Sequence, residues 1–144
     1  MGVRKRQTAE KLKEEKRSIA FAKLNNCPTS PRKMRLVVDQ IRGQRVEDAL
    51  NTLKFSQKRI YAEKVEKLLK SAIANWQEVN DLRVDEETGL IVKEVFVDPG
   101  RMLKRIQPAP QGRAHRVRKR SNHITLKVDT VAETIVTEES KSEE

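Results

Sequence analysis

Residues 97–128 read VDPGRMLKRIQPAPQGRAHRVRKRSNHITLKV, and this stretch decides how the whole chain is read. Its last part, His123-Ile124-Thr125-Leu126-Lys127-Val128, alternates apolar and polar residues as a half-buried strand does. Its first part continues Leu90-Ile91-Val92 and Val95-Phe96-Val97, whose β-branched and aromatic side chains favour strand. Asp98-Pro99-Gly100 then demands a kink or a bulge. Between these ends, Arg101–Gln107 and Arg113–Asn122 carry too few apolar side chains to bury. Pro108-Ala109-Pro110-Gln111-Gly112 is a turn by composition, with Gly112 placed to supply a positive φ. The stretch therefore predicts a hairpin over 97–124 whose base can pack on a core and whose outer part cannot. Ten or so residues at 3.3 Å each carry that outer part roughly 30–35 Å away. A lone two-stranded ribbon is marginal in water, so something must pack along both of its faces.

Charge indicates what that is. No acidic residue lies between Asp98 and Asp129, whereas nine basic ones do: Arg101, Lys104, Arg105, Arg113, Arg116, Arg118, Lys119, Arg120 and Lys127. The chain has 31 basic and 21 acidic residues, so the remainder holds 22 against 21 and the hairpin carries nearly all of the net +10. Solvated faces usually mix signs, because close like charges repel. A one-sign segment of this length points to a polyanion: nucleic acid first, an anionic membrane surface second. No amphipathic helix with apolar bulk supports the membrane.

Upstream of the hairpin the pattern is helical. Ser30-Pro31 is a start signal, with a good N-cap followed by proline at the first helical position. Met34, Val37, Val38 and Ile41 follow at helical spacing, and Gly43 ends the helix. A second helix spans about Val46 to Leu53. The third and longest carries Tyr61, Val65, Leu68, Ala72, Trp76 and Val79 along one side. Before them, Ile19–Leu24 reads as a short strand, broken by Asn25-Asn26-Cys27-Pro28. Residues 1–17 are polar and basic and read as a flexible arm, helical at most near Glu10–Arg17. Residues 80–89 are an acidic turn, and 129–144 an acidic tail read as disordered. The domain proper is thus 18–128.

Composition bounds the rest. With 144 residues there is room for one modest domain. A single cysteine, Cys27, excludes an internal disulfide framework and fits a reducing compartment. No apolar run approaches the ~20 residues of a membrane span, and the basic N-terminus lacks a secretory apolar core. His115 and His123 have no ligand-like spacing to Cys or carboxylates, so no metal and no cofactor is expected. No nucleophile–base pair or glycine-rich phosphate loop emerges, which argues against an enzyme.

Several motifs coincide with a known family. Phe96-Val97-Asp98, Lys104-Arg105, Pro108 with Gly112-Arg113-Ala114, Lys119-Arg120, and Ser121 with His123-Ile124-Thr125 resemble the hairpin of bacterial large-subunit ribosomal protein twenty-two. SPRKMRLVVDQIRG at Ser30–Gly43 and SAIAN at Ser71–Asn75 are also similar to it, so the likeness covers about Ile19–Val128. The resemblance implies an α+β fold: three helices on a small three-stranded antiparallel sheet, with one long protruding β-hairpin. It further implies a cytoplasmic constituent of the large ribosomal subunit that binds large-subunit rRNA and supports assembly. Its neighbours would be other large-subunit proteins, and its hairpin tip would line the exit tunnel and meet the nascent polypeptide. No membrane and no small-molecule substrate are implied. Three departures stand out. The tip reads Ala109-Pro110-Gln111 where the family carries extra basic residues, which makes it stiffer and less charged. Asn122 is inserted between Ser121 and His123, where a register shift or bulge is expected. The arm before Ser18 and the tail after Val128 are extensions.

The candidate RNA-binding residues are Arg101, Lys104, Arg105, Arg113, Arg116, Arg118, Lys119 and Arg120. Arginine suits the task because its planar fork pairs with phosphate bidentately and stacks on exposed bases. Arg32, Lys33, Arg35 and Arg42 on the first predicted helix form a second tier, for which a solvated polar face is the competing reading. Pro108, Ala109, Pro110, Gln111 and Gly112 are the candidate tunnel tip. A free regulator that lays a β-ribbon into a DNA groove is the alternative function; it would favour a symmetric dimer and a shorter ribbon.

Overall fold

Val3–Ser18 forms one α-helix, α1, in the computed structural model, which describes residues 3–80 and 89–130. The three expected helices therefore become four, and the arm is helical from Val3 onward. Its composition explains this: Lys, Arg, Glu, Gln, Ala and Leu are strong helix formers, and neither Gly nor Pro interrupts the run. Positions 81–88 of the expected acidic turn, and the expected tail from 131, lie outside the described residues.

After α1 come strand β1 (Phe21–Cys27) and helices α2 (Pro31–Ile41), α3 (Val46–Lys54) and α4 (Arg59–Asn80). Strands β2 (Leu90–Pro99), β3 (Leu103–Pro108), β4 (Ala114–Lys119) and β5 (Asn122–Thr130) follow. β1 does not stop at Leu24, as its Asn-Asn-Cys-Pro sequence suggests. Asn26 adopts a left-handed φ of 53° and absorbs an extra residue, so pairing resumes at Cys27. Ser30 takes the extended cap conformation but makes no side-chain capping bond, so Pro31 alone marks the start of α2. Gly43 ends that helix at φ +76°.

The main sheet runs β1-β5-β2, antiparallel throughout, and β3 and β4 form a separate two-stranded sheet. In β5, Ile124, Leu126 and Val128 point to the helices and are buried, while His123, Thr125 and Lys127 face away. Such alternation marks a sheet with one packed and one open face. Met34, Val37, Val38 and Ile41 of α2, with Val65, Leu69 and Ala72 of α4, complete the core against it.

β2 is an edge strand, and its outward groups are covered rather than left open. Val92 exchanges backbone bonds with the α2–α3 linker: Gly43 N–H donates to Val92 O and Val92 N–H to Gln44 O, both at 2.9 Å. Farther along, Arg42 donates to Val95 O at 3.1 Å and Arg35 to Val97 O at 3.0 Å. An unpaired edge invites pairing with another chain, and these bonds remove that opportunity.

Candidate nucleic-acid interface

After a register shift between Val92 and Glu94, β2 and β5 stay in register from Glu94 down to Pro99 opposite Asn122, and the outer ribbon resumes at Leu103 opposite Lys119. Between those pairs the first strand spends Gly100, Arg101 and Met102, while the returning strand spends only Arg120 and Ser121. The extra residue makes a joint between two sheets, as the Asp98-Pro99-Gly100 sequence leads one to expect. Two bonds hold the joint: Gly100 N–H donates to Ser121 O at 2.9 Å, and Ser121 Oγ donates to Arg101 O at 2.5 Å. A Cβ on Gly100 would sit 2.7 Å from Ser121 Oγ, 3.0 Å from His123 Nε2 and 3.3 Å from the Ser121 carbonyl carbon. Glycine is required here for space, not for φ. Gly100→Ala should therefore open the joint and lower incorporation of the chain into reconstituted particles. Its effect on the thermal midpoint of the core should be small, about 1 kcal/mol or less, because the joint lies outside the core. A wild-type level of incorporation would show that the joint tolerates the methyl group.

The joint is anchored underneath by Asn122, a fully buried polar residue. Its Nδ2 donates to both the backbone O and the Oγ1 of Thr29, each at 2.8 Å. The register shift expected here is present: Asn25 and Asn26 of β1 oppose the single β5 residue His123, while Asn122 itself pairs with Cys27 on one side and Pro99 on the other. Asn26 N–H in that bulge donates to His123 Nδ1 at 3.1 Å, so His123 is a structural acceptor.

Beyond the joint, nothing is buried. All six β3 residues are exposed, as are five of six in β4, Val117 being half-buried. Directly opposed residues share a face. One face therefore presents Leu103, Arg105, Gln107, His115, Val117 and Lys119, and the other Lys104, Ile106, Pro108, Ala114, Arg116 and Arg118. On the second face Lys104 stands directly opposite Arg118, an arrangement that destabilises a pair of strands in the absence of a counter-charge. Among the described residues no carboxylate forms an ion pair with any of the eight first-tier cations, from Arg101 to Arg120. Lys127, the ninth basic residue of the stretch, belongs elsewhere: it pairs with Glu94 at 2.6 Å on the open face of the main sheet.

The tip closes with Ala109 N–H donating to Arg113 O at 2.9 Å and Arg113 N–H to Pro110 O at 3.4 Å. Gly112 has the expected positive φ, +69°. Gln111 has one too (φ 63°, ψ 32°), which its side chain did not announce. Two successive left-handed residues give the turn the hand that matches strand twist. The cost at a non-glycine position is about 1 kcal/mol. The second tier divides. Arg35 and Arg42 have their guanidinium groups committed to β2 carbonyls, and Arg42 also pairs with Asp39 at 3.0 Å. Arg32 and Lys33 are exposed on α2, apart from those contacts.

The sequence that builds this packed α+β base and exposed cationic ribbon is similar to those of known proteins. The family described as ribosomal protein L22p/L17e matches residues 22–129. A large ribosomal subunit protein uL22 from Flavobacterium johnsoniae is 63% identical over 134 residues, covering 93% of this chain and 97% of the relative. The protein of that name from Christiangramia forsetii is 65% identical over 126 residues, 88% of this chain and 93% of its own length. One from Bacteroides fragilis is 59% identical over 130 residues, 90% and 94% of the two chains.

The chain belongs to the ribosomal protein L22p/L17e family.

Membership makes it a structural constituent of the ribosome and not an enzyme, and it sets aside the free-regulator reading. The L22p/L17e match takes in the whole joint, ribbon and tip but begins after α1. Among the described residues no group of His, Cys, Asp and Glu is placed to hold a metal ion. No described helix is long and apolar enough to cross a membrane.

Proposed function

We propose that this chain is an rRNA-binding constituent of the large ribosomal subunit, held there by its ribbon. Arg101, Lys104, Arg105, Arg113, Arg116, Arg118, Lys119 and Arg120 contact phosphates of large-subunit rRNA on both sides of the ribbon. Arg32 and Lys33 make supporting contacts from α2. The tip, Pro108 to Gly112, reaches roughly 35 Å beyond Pro99 at 3.3 Å per residue and lines the tunnel through which the nascent polypeptide leaves. The base of the fold meets neighbouring large-subunit proteins, and no small-molecule substrate is needed. One observation carries this reading: five cations lie along the two exposed faces of the ribbon and three more at its joint and tip, and none of the eight has an acidic partner among the described residues. Contacts along so thin a ribbon fix position and shape more than they read sequence.

Sedimentation tests the reading directly. The chain should travel with the large-subunit fraction through a moderate salt wash, and a photo-crosslinker at Gln111 should capture stalled nascent chains. Release of the chain in that wash would count against the anchor. A crosslinker that captures only RNA would move the tip out of the tunnel.

A further inference from the structure

α1 has the composition of a helix, but none of its described side chains packs into the core of the fold. Val3–Ser18 contains seven basic and three acidic residues, a net +4, and its only apolar side chains are those of Val3, Ala9 and Leu12. Every side chain described along it, Val3 to Lys13, is exposed, with Val3 at 71% and Leu12 at 50%. None belongs to the hydrophobic core. An isolated helix of this length is marginal in water, because nucleation costs more than a few turns return. A helix polar all round has no stripe with which to dock on a protein core or a lipid surface. Glu10 is already matched by Arg6 at 2.9 Å, leaving Arg4, Lys5, Lys11 and Lys13 without an ion-pair partner among the described side chains.

We infer that α1 is a second RNA-binding element, separate from the ribbon, which lies along rRNA phosphates with its cations on several sides of the helix. Phosphate supplies both the counter-charge and the contacts that the fold does not. The segment is also not peculiar to this chain. The Flavobacterium johnsoniae match covers 134 of 144 residues and so leaves at most ten unmatched. The likeness therefore reaches back at least to residue 11, ahead of the family's own start at 22. The competing occupant is the chain's own end, whose residues 131–144 hold five glutamates and one lysine.

This inference rests on the RNA-binding reading above, and the test separates the two. In the full-length chain, Arg4, Lys5, Arg6, Lys11 and Lys13 are replaced together by Gln, which preserves helix propensity. Affinity for large-subunit rRNA is then measured as a function of salt, beside wild type and a ribbon variant. The α1 variant should bind at least tenfold more weakly at 0.15 M salt. Its plot of log affinity against log salt should flatten by roughly 2–4, close to one for each phosphate that the helix no longer neutralises. Its core should melt as wild type does, since none of the five replaced side chains belongs to that core. If only the ribbon variant loses affinity, α1 is not an RNA element and the inference fails alone. If neither variant loses affinity, the RNA reading itself fails. In a third variant Glu133, Glu138, Glu139, Glu143 and Glu144 become Gln. A gain in RNA affinity there, with no loss in the α1 variant, would assign α1 to the tail and overturn the proposal.

Discussion

Replacing Arg116, Arg118, Lys119 and Arg120 together with Ala should weaken binding to large-subunit rRNA by about 100-fold near physiological salt and flatten its salt dependence by roughly 3. Each cation that sits on a phosphate releases condensed counterions, and each such pairing contributes about 0.7–0.9 to the slope. The four side chains are exposed and reach no core residue, so the cost falls on binding and not on folding. The thermal midpoint should hold or rise slightly. Arg118 stands opposite Lys104, and removing one member of a like-charged pair relieves repulsion. Titration of full-length wild type and variant against the same rRNA at four or five salt concentrations gives both numbers. Equal slopes would mean that the ribbon's cations face solvent in the bound state, and the anchor would have to be sought on the base of the fold.

The hairpin is legible in the amino-acid sequence because its signal is made of absences. A stretch without acids and with few apolar side chains cannot pack against its own chain, whatever its exact register. The helices are legible for the opposite reason: Met34, Val37, Val38 and Ile41 repeat at a spacing that only one helix face satisfies. What escapes depends on partners far away in sequence. Arg35 and Arg42 look like any basic residues on a polar face, and nothing local shows that Val97 and Val95 offer carbonyls to them across more than fifty residues. Asn26 and Gln111 escape for a related reason. Left-handed φ is announced by glycine, and at these two positions other residues accept it because pairing on either side over-determines the backbone. Asn122 stands out as an insertion against the family that the sequence resembles, and the strand that carries the accompanying register shift, β1, lies almost a hundred residues away in sequence. α1 differs again: its helix propensity is plain, but the absence of an apolar face limits the expected helix to about Glu10–Arg17, whereas it spans Val3–Ser18.

Asn122→Ala should be the most damaging single change outside the apolar core, destabilising the fold by about 2–3 kcal/mol. For a chain of this size that is a fall of roughly 10 °C in the thermal midpoint. Asn122 spans the point where three strands meet, with Cys27 on one side and Pro99 on the other. Its two Nδ2 protons tie β5 to both oxygens of Thr29, and alanine leaves a half-buried carbonyl without that donor and a small void beside it. Its Oδ1 has no partner among the described residues, so part of the amide's desolvation is already uncompensated. Leucine tests this balance. Asn122→Leu keeps the branched four-atom outline, discards the unpaired oxygen along with both bonds, and should cost less than alanine does. A midpoint within about 2 °C of wild type for Asn122→Ala, well inside the shift that 1 kcal/mol produces, would mean that Thr29 finds water instead and that the tether is dispensable. The two largest effects are also opposite in kind. The quadruple ribbon variant loses counterion release and keeps its midpoint, whereas Asn122→Ala should lose its midpoint and, below it, bind RNA with the wild-type salt slope. A flattened slope in Asn122→Ala would show that Asn122 also sets the direction of the ribbon, because phosphates would then go unmatched without removal of any charge.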